Sequence, residues 1–144
     1  MTVLDSFAVI AFLRDEPARP QVATLLQRKD ARLTAVGVAE VFDHLLRVVK
    51  VDEEQAALDL AEIGLLEAVP VEGGLGLAAG RLRARRYHRA RSVLSLADCV
   101  AAEAARALSE PLATSDPHLL EVCHAERIQV IALPASDGST WTAT

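Results

Sequence analysis

The chain is poor in aromatic residues: three Phe, one Tyr and one Trp make up 3% of its 144 residues. A core with so few large rings must be filled by Ala, Val, Leu and Ile, which suits helices packed on a parallel sheet. Cysteine is scarce as well. Cys99 and Cys123 fall in predicted helices and make neither CxxC nor a Cys/His metal spacing, so buried thiols are expected rather than a disulfide or a zinc site. No run of apolar residues is long enough to span a bilayer. The apolar opening carries Asp5 and lacks a basic leader, which excludes a transmembrane helix and a secretory signal there and points to a cytoplasmic location. Gly73, Gly74, Gly76 and Gly80 fit neither GxGxxG nor a P-loop, and no GK[ST] follows, so no nucleotide site is expected. Internal repeats and long linkers are also missing.

What the chain does have is apolar bulk, 51% hydrophobic residues over 144 positions, enough for one globular domain with a sizeable core and too little for two. Its formal charge of −5 is unevenly spread. Six arginines and no acid lie between Arg81 and Arg91, whereas the rest of the chain holds nine basic and twenty acidic residues, a stripe of +6 against −11 elsewhere. Such a stripe suits an anionic partner, and a solvated arginine-rich helix face is the plain alternative.

Read in order, Val3-Leu4 is a short strand that runs through Asp5-Ser6 into a helix over residues 7–13. Pro17 and Pro20 mark a turn before a second helix at 21–28, and Arg32-Leu33-Thr34 is the next strand. Residues 36–49 read as a helix with Val38, Ala39, Phe42, Leu45, Leu46 and Val49 at core-facing spacing and Glu40, Asp43, His44 and Arg47 on the other side. Asp52 caps a helix over 53–63 that Gly64 stops, so that residues 36–63 form a helical hairpin, and a strand follows at 66–71. The arginine-rich helix spans 77–91. Ser95 with Asp98 is a capping-box pattern opening a helix to Leu108; Leu112-Ala113-Thr114 is a strand; Asp116-Pro117 starts another helix. Val130-Ile131-Ala132 is the last strand. The domain is placed at residues 1–134, with a small-residue tail at 135–144 in which Trp141 has no assigned role.

Short strands alternating with helices imply an α/β fold with a mainly parallel sheet, and ligands in such folds bind at the carboxyl ends of the strands. Asp5, Asp98 and Asp116 all fall at helix N-termini, and Asp5 and Asp116 come off the ends of strands. If those strands are neighbours, the carboxylates converge and repel one another unless a cation offsets them. Mg2+, held by a few carboxylates while keeping waters and open to phosphate oxygens, is the simplest occupant, and an arginine stripe nearby suits a polyanion. Helix capping alone is the competing account of the three aspartates, as a solvated helix face is of Glu40.

Four stretches stand out, in order along the chain: Val3-Leu4-Asp5-Ser6-Phe7-Ala8-Val9-Ile10-Ala11, Val38-Ala39-Glu40-Val41, Leu96-Ala97-Asp98-Cys99-Val100-Ala101-Ala102 and Leu112-Ala113-Thr114-Ser115-Asp116. In these, all in register, the chain resembles PIN-domain ribonucleases of the VapC toxin type. The resemblance implies a three-layer α/β/α sandwich with a five-stranded, mainly parallel sheet, an acidic pocket for Mg2+ or Mn2+, RNA hydrolysis, a homodimer, and neutralisation by a cognate VapB-type antitoxin. Asp5, Asp98 and Asp116 match the family's metal-site aspartates, Glu40 its acid that reaches the metal through water, and Ser6 and Thr114 the small hydroxyl residues beside them. Many relatives carry a further acid shortly after the position of Asp116, where this chain has Pro117-His118, so one ion or two stays open. Arg85, Arg86 and Arg89 are the candidates to guide RNA, with Tyr87 as a stacking partner, while His118 reads as a surface residue or a phosphate contact. The hairpin at 36–63, with Leu45 and Leu46, is the expected seat of the antitoxin, whose basic side chain would enter near Asp5, Glu40 and Asp98. A haloacid-dehalogenase-type phosphatase needs a second Asp where Phe7 stands, and a receiver domain needs an acidic pair and a lysine that are missing. A non-catalytic α/β binding or regulatory module, its acids serving only as caps, is the alternative.

Overall fold

A computed structural model describes residues 1–144. The chain begins with β1 (Thr2–Leu4), α1 (Ser6–Leu13), α2 (Arg19–Gln27) and β2 (Ala31–Arg32). Next come α3 (Ala35–His44), which continues as a π-helical turn over Leu45–Val49, α4 (Glu53–Glu62) and α5 (Gly73–Arg86). The last part contains α6 (Leu96–Leu108), β3 (Leu112–Thr114), α7 (Pro117–Ala125) and β4 (Val130–Ala132).

All strand pairs are parallel, and the sheet order is β2-β1-β3-β4. Successive side chains of a strand point to opposite faces. Leu4 and Ala113 accordingly join one apolar cluster with α1, α2, α3 and α4, while Val3 and Leu112 join the other with α5, α6 and α7. The result is helices on both faces of one sheet. The layer at α6 depends on alanine: residues Cys99 to Ala105 are all buried, and a helix buried on every side needs small side chains to admit its neighbours closely. The two cysteines lie in this second cluster, where burial raises the Cys99 thiol to about 11 and the Cys123 thiol to about 12.

The sheet has four strands, not the five expected. Residues 66–71 contribute only one parallel bridge, Thr34 to Val69, with Val69 N–H donating to Leu33 O at 2.9 Å and Ala35 N–H donating to Val69 O at 2.9 Å. The ladder stops because Thr34 is already the N-cap of α3, its hydroxyl accepting from Gly37 N–H at 3.0 Å, and because Pro70 has no N–H to give. The helix expected over 36–49 changes winding at Leu45, and the turn ends at Lys50 in the left-handed region at φ +69°. Leu45 faces inward, packed with Val41, Ala56 and Leu60, so it offers no surface to a partner. Gly64 does close α4, at φ +77°, where a side chain would be strained.

The arginine-rich helix lies earlier than the expected 77–91: it runs Gly73–Arg86, so the glycines that precede Leu77 are helical and Arg89 and Arg91 are not. Beyond it the chain folds back on itself through an antiparallel bridge between His88 and Ser92, with both backbone hydrogen bonds made, at 2.9 and 3.0 Å. The His88 ring makes this turn self-sufficient, since its Nδ1 accepts the N–H of both Ala90 and Arg91 at 3.1 Å. At the other end of the chain the tail is tied down: Trp141 Nε1 donates to Glu121 Oε1 at 2.9 Å and its ring meets His124 edge-on. No helix is long and apolar enough to cross a membrane.

Candidate active site

The sheet order reverses direction at β1: the chain steps from β1 outward to β2, then returns to place β3 on the other side. The crevice between the carboxyl ends of β1 and β3 is therefore the switch point at which open α/β sheets bind ligands. Asp5 follows β1 directly, its N–H donating to Ala113 O at 3.1 Å, and Asp116 lies two residues beyond β3. The topology itself brings these two acids together.

Asp5 and Asp116 are also helix N-caps, and Asp98 is the acid of a capping box. Asp5 Oδ1 accepts from Ala8 N–H at 2.8 Å and Asp116 Oδ1 from His118 N–H at 2.9 Å, with Pro117 at the first helical position. Ser95 and Asp98 form the reciprocal capping box at the start of α6, at 2.9 and 3.0 Å. Capping and site formation do not compete here, because one carboxylate oxygen serves the helix and leaves the other free for other partners.

Asp5, Ser6, Glu40 and Asp98 line one small cleft together with Thr34, Gly37 and Ala97. Ser6 Oγ donates to Glu40 Oε1, and Thr114 Oγ1 donates to Asp5 Oδ2. Thr114 Oγ1 in turn accepts the Asp116 N–H at 3.1 Å, so one hydroxyl bridges the two aspartates. Asp116 borders an adjoining hollow with Phe7, Glu16, Ser115 and Pro134. Neither Thr34 nor Gly37 stands out in the sequence as a site residue. Yet a Cβ at Gly37 would lie 3.2 Å from Leu33 Cδ2 and 3.4 Å from Thr34 Oγ1, so a small residue is needed at this wall.

The electrostatics of the cleft are unbalanced. Burial pushes the Asp5 carboxyl up to about 7, and the charges of Asp98 and Asp116 push the same way, against hydrogen bonds from Thr114 and Ala8. Burial and then the charge of Asp98 raise Glu40; burial raises Asp98, with Asp116 adding to it. None of these four acids takes part in a salt bridge. No three acidic, His or Cys side chains stand as a ready-made metal cage. The donor set nevertheless fits a hard divalent ion: its charged members are carboxylates, it includes two hydroxyls, and no cationic side chain pairs with the acids to offset their mutual repulsion.

The arginines divide between structure and surface. Arg85 Nη2 and Arg86 Nε reach Glu126 at 2.7 Å, and Arg106 Nη2 reaches it at 2.7 Å from α6. Three guanidiniums hold the Glu126 carboxyl down to about 2. Arg83 donates to Leu94 O at 2.8 Å and lies 4.4 Å over the Tyr87 ring, so one face of that ring is already covered. Arg89 lies in the turn beyond α5. His118 Nδ1 lies 3.2 Å from Arg91 O, which fastens this turn to the start of α7. Glu126 gave no signal in the sequence, because its role depends on a partner 40 residues away, and the bond between the Arg91 carbonyl and His118, 27 residues on, was equally hidden.

The fold is an α/β sheet whose switch point is lined by carboxylates that no salt bridge offsets. The sequence profile of the PIN domain matches residues 2–125, and the chain belongs to the PIN domain family. Its fold is similar to FitAcB from Neisseria gonorrhoeae, with TM-score 0.64, 20% identity, and coverage of 90% of this chain and 96% of that one. FitAB bound to the IR36 DNA fragment gives TM-score 0.68, 21% identity and coverage of 91% and 94%. VapBC2 from Rickettsia felis, bound to a DNA fragment from their promoter, gives TM-score 0.61, 18% identity and coverage of 90% and 96%. At these identities the likeness establishes the fold. No curated protein sequence matches the chain significantly.

Proposed function

We propose that the chain is a metal-dependent ribonuclease and the toxin of a VapBC-type toxin-antitoxin pair. The observation that carries this reading is the set of four acids without a cationic partner at the switch point, with Asp5 held near 7 by burial and by its neighbours' charges. Asp5, Asp98 and Asp116 are the residues that hold Mg2+ or Mn2+, with Glu40 at the margin of the site. Bound there, the ion supplies Lewis-acid polarisation of the phosphoryl oxygen and water of lowered pKa. The protein's own share is positioning. Thr114 fixes the Asp5 carboxylate, Ser6 orients Glu40, and the caps of α6 and α7 hold Asp98 and Asp116 in fixed rotamers.

The nuclease module comprises residues 1–134, with 135–144 as an appended tail, and it works as a homodimer. Leu77 is 70% exposed on α5 and Leu96 59% exposed at the start of α6, which supplies apolar surface for that association. The antitoxin reading is supported by the FitAB and VapBC2 complexes among the similar structures. Its seat is the α3–α4 hairpin, where Val48 and Leu58 are half exposed and Leu46 is partly so, with a basic side chain directed to the acids.

The test is cleavage of RNA with Mn2+ present, together with Mn2+ titration by calorimetry. Asp5→Asn, Asp98→Asn and Asp116→Asn should each abolish cleavage in a folded protein and weaken Mn2+ binding. Full cleavage by any of them would reduce that acid to a cap. A non-catalytic module is favoured by the capping bonds that all three aspartates make, and it predicts no Mn2+ binding by the native protein.

A further inference from the structure

The six arginines between Arg81 and Arg91 do not act as one stripe. Arg85 and Arg86 are held on Glu126, and Arg83 on a backbone carbonyl and the Tyr87 ring, while Arg81 is exposed on the body of α5. Arg89 and Arg91 are exposed and enter no salt bridge. They stand on the tight turn His88–Ser92, whose backbone is satisfied from within by the strand bridge and the His88 ring. An element that satisfies its own backbone can keep its shape while its side chains reach outward.

The turn is anchored to both halves of the acid site. On one side the chain runs from Ser92 through buried Leu94 to Ser95, whose N–H binds Asp98 Oδ2 at 2.9 Å. On the other, the His118 ring meets Arg91 O at 3.2 Å while the His118 backbone N–H binds Asp116 Oδ1 at 2.9 Å. Two unpaired guanidiniums are thus mounted on a preshaped turn that ends at the supports of Asp98 and Asp116.

We propose that the turn His88–Ser92, carrying Arg89 and Arg91 and fastened by His118 beside Asp116, grips the phosphate backbone of a single-stranded RNA entering the carboxylate cleft. The inference rests on the ribonuclease reading and deepens it. Arg85 and Arg86 become struts of the fold, and His118 becomes a positioning residue that acts through the Arg91 carbonyl. Single-stranded RNA is the class favoured because an unpaired strand can bend its backbone past a narrow acidic cleft, where a rigid duplex presents its phosphates on a fixed cylinder.

Binding of a fluorescein-labelled single-stranded oligoribonucleotide, followed by anisotropy in EDTA so that no cleavage intervenes, tests this across a series of salt concentrations. Arg89→Ala with Arg91→Ala should lower the slope of log affinity against log salt by about 1.4, two contacts at about 0.7 each, and weaken binding about tenfold near 0.15 M salt. Arg85→Gln with Arg86→Gln should leave the slope unchanged while lowering the melting temperature. His118→Ala should lose part of the slope, and His118→Asn, whose amide can donate from the same distance, should restore it. A slope unchanged in the Arg89/Arg91 variant but lowered in the Arg85/Arg86 variant overturns the turn as the grip and leaves the nuclease reading standing. A native protein that binds the oligonucleotide with no salt dependence, and cleaves no RNA with Mn2+, overturns the nuclease reading itself.

Discussion

Replacing Asp5 by Asn should make the metal-free protein more stable at alkaline pH while destroying the site. Asp5 is 4% exposed, and its carboxyl is raised to about 7 from the ordinary 3.8. A carboxyl raised on folding binds its proton more tightly in the native state, so below the unfolded value it costs nothing. The cost grows between about pH 4 and 7 and is complete above 7, where a gap of roughly 3 units corresponds to about 4 kcal/mol of lost stability. Asn carries no charge and still offers an oxygen to Ala8 N–H. It places an amide N–H2 opposite Thr114 Oγ1, which already accepts from Asp116 N–H, and this mismatch costs about 1 kcal/mol. The net gain of about 2–3 kcal/mol should raise the melting temperature by roughly 8 °C near pH 8. Thermal melts by circular dichroism in EDTA, from pH 4 to 8.5, should show the gap between variant and native protein closing as the pH falls. Millimolar Mg2+ should then stabilise the native protein at pH 8 and leave the variant unmoved. An Asn variant that is less stable at every pH would show that Asp5 does not carry a buried, uncompensated charge.

Other outcomes follow from the same geometry. Glu126→Gln leaves Arg85, Arg86 and Arg106 without their shared carboxylate and should cost about 2 kcal/mol at pH 7. Because the Glu126 carboxyl is depressed to about 2, that deficit should persist at mildly acidic pH and disappear only near pH 2, as chemical denaturation at several pH values would show. Cys99 and Cys123, buried and raised to about 11 and 12, should resist alkylation in the native protein at pH 8 and react at once in denaturant, as mass spectrometry would record. Lys50→Gly should stabilise the end of the π-helical turn by about 0.5–1 kcal/mol, because Gly adopts φ +69° without the Cβ penalty; an unchanged or lower melting temperature would contradict this. Val48→Asp with Leu58→Asp should weaken capture by an antitoxin on the α3–α4 hairpin more than tenfold with RNA cleavage intact, as surface plasmon resonance would measure.

The sequence by itself determined the local pieces. Asp5, Asp52, Ser95 with Asp98, and Asp116-Pro117 each announced a helix start that the structure places within a residue or two, because capping is a bond between near neighbours along the chain. The alternation of short apolar strands with helices announced the α/β class for the same reason. The strand at 66–71 was legible only as an apolar run; whether it pairs depended on Thr34 already capping α3 and on Pro70 lacking a donor. Sheet order was beyond the sequence, and with it the meeting of Asp5 and Asp116, since nothing along the chain states that β1 lies beside β3 across 109 residues. The fate of the arginines was equally hidden. Arg85 and Arg86 look identical in sequence to Arg89 and Arg91, and only packing, which brings α5 against Glu126 and folds residues 88–92 back beside His118, decides which charges are spent inside the fold and which are left for a ligand.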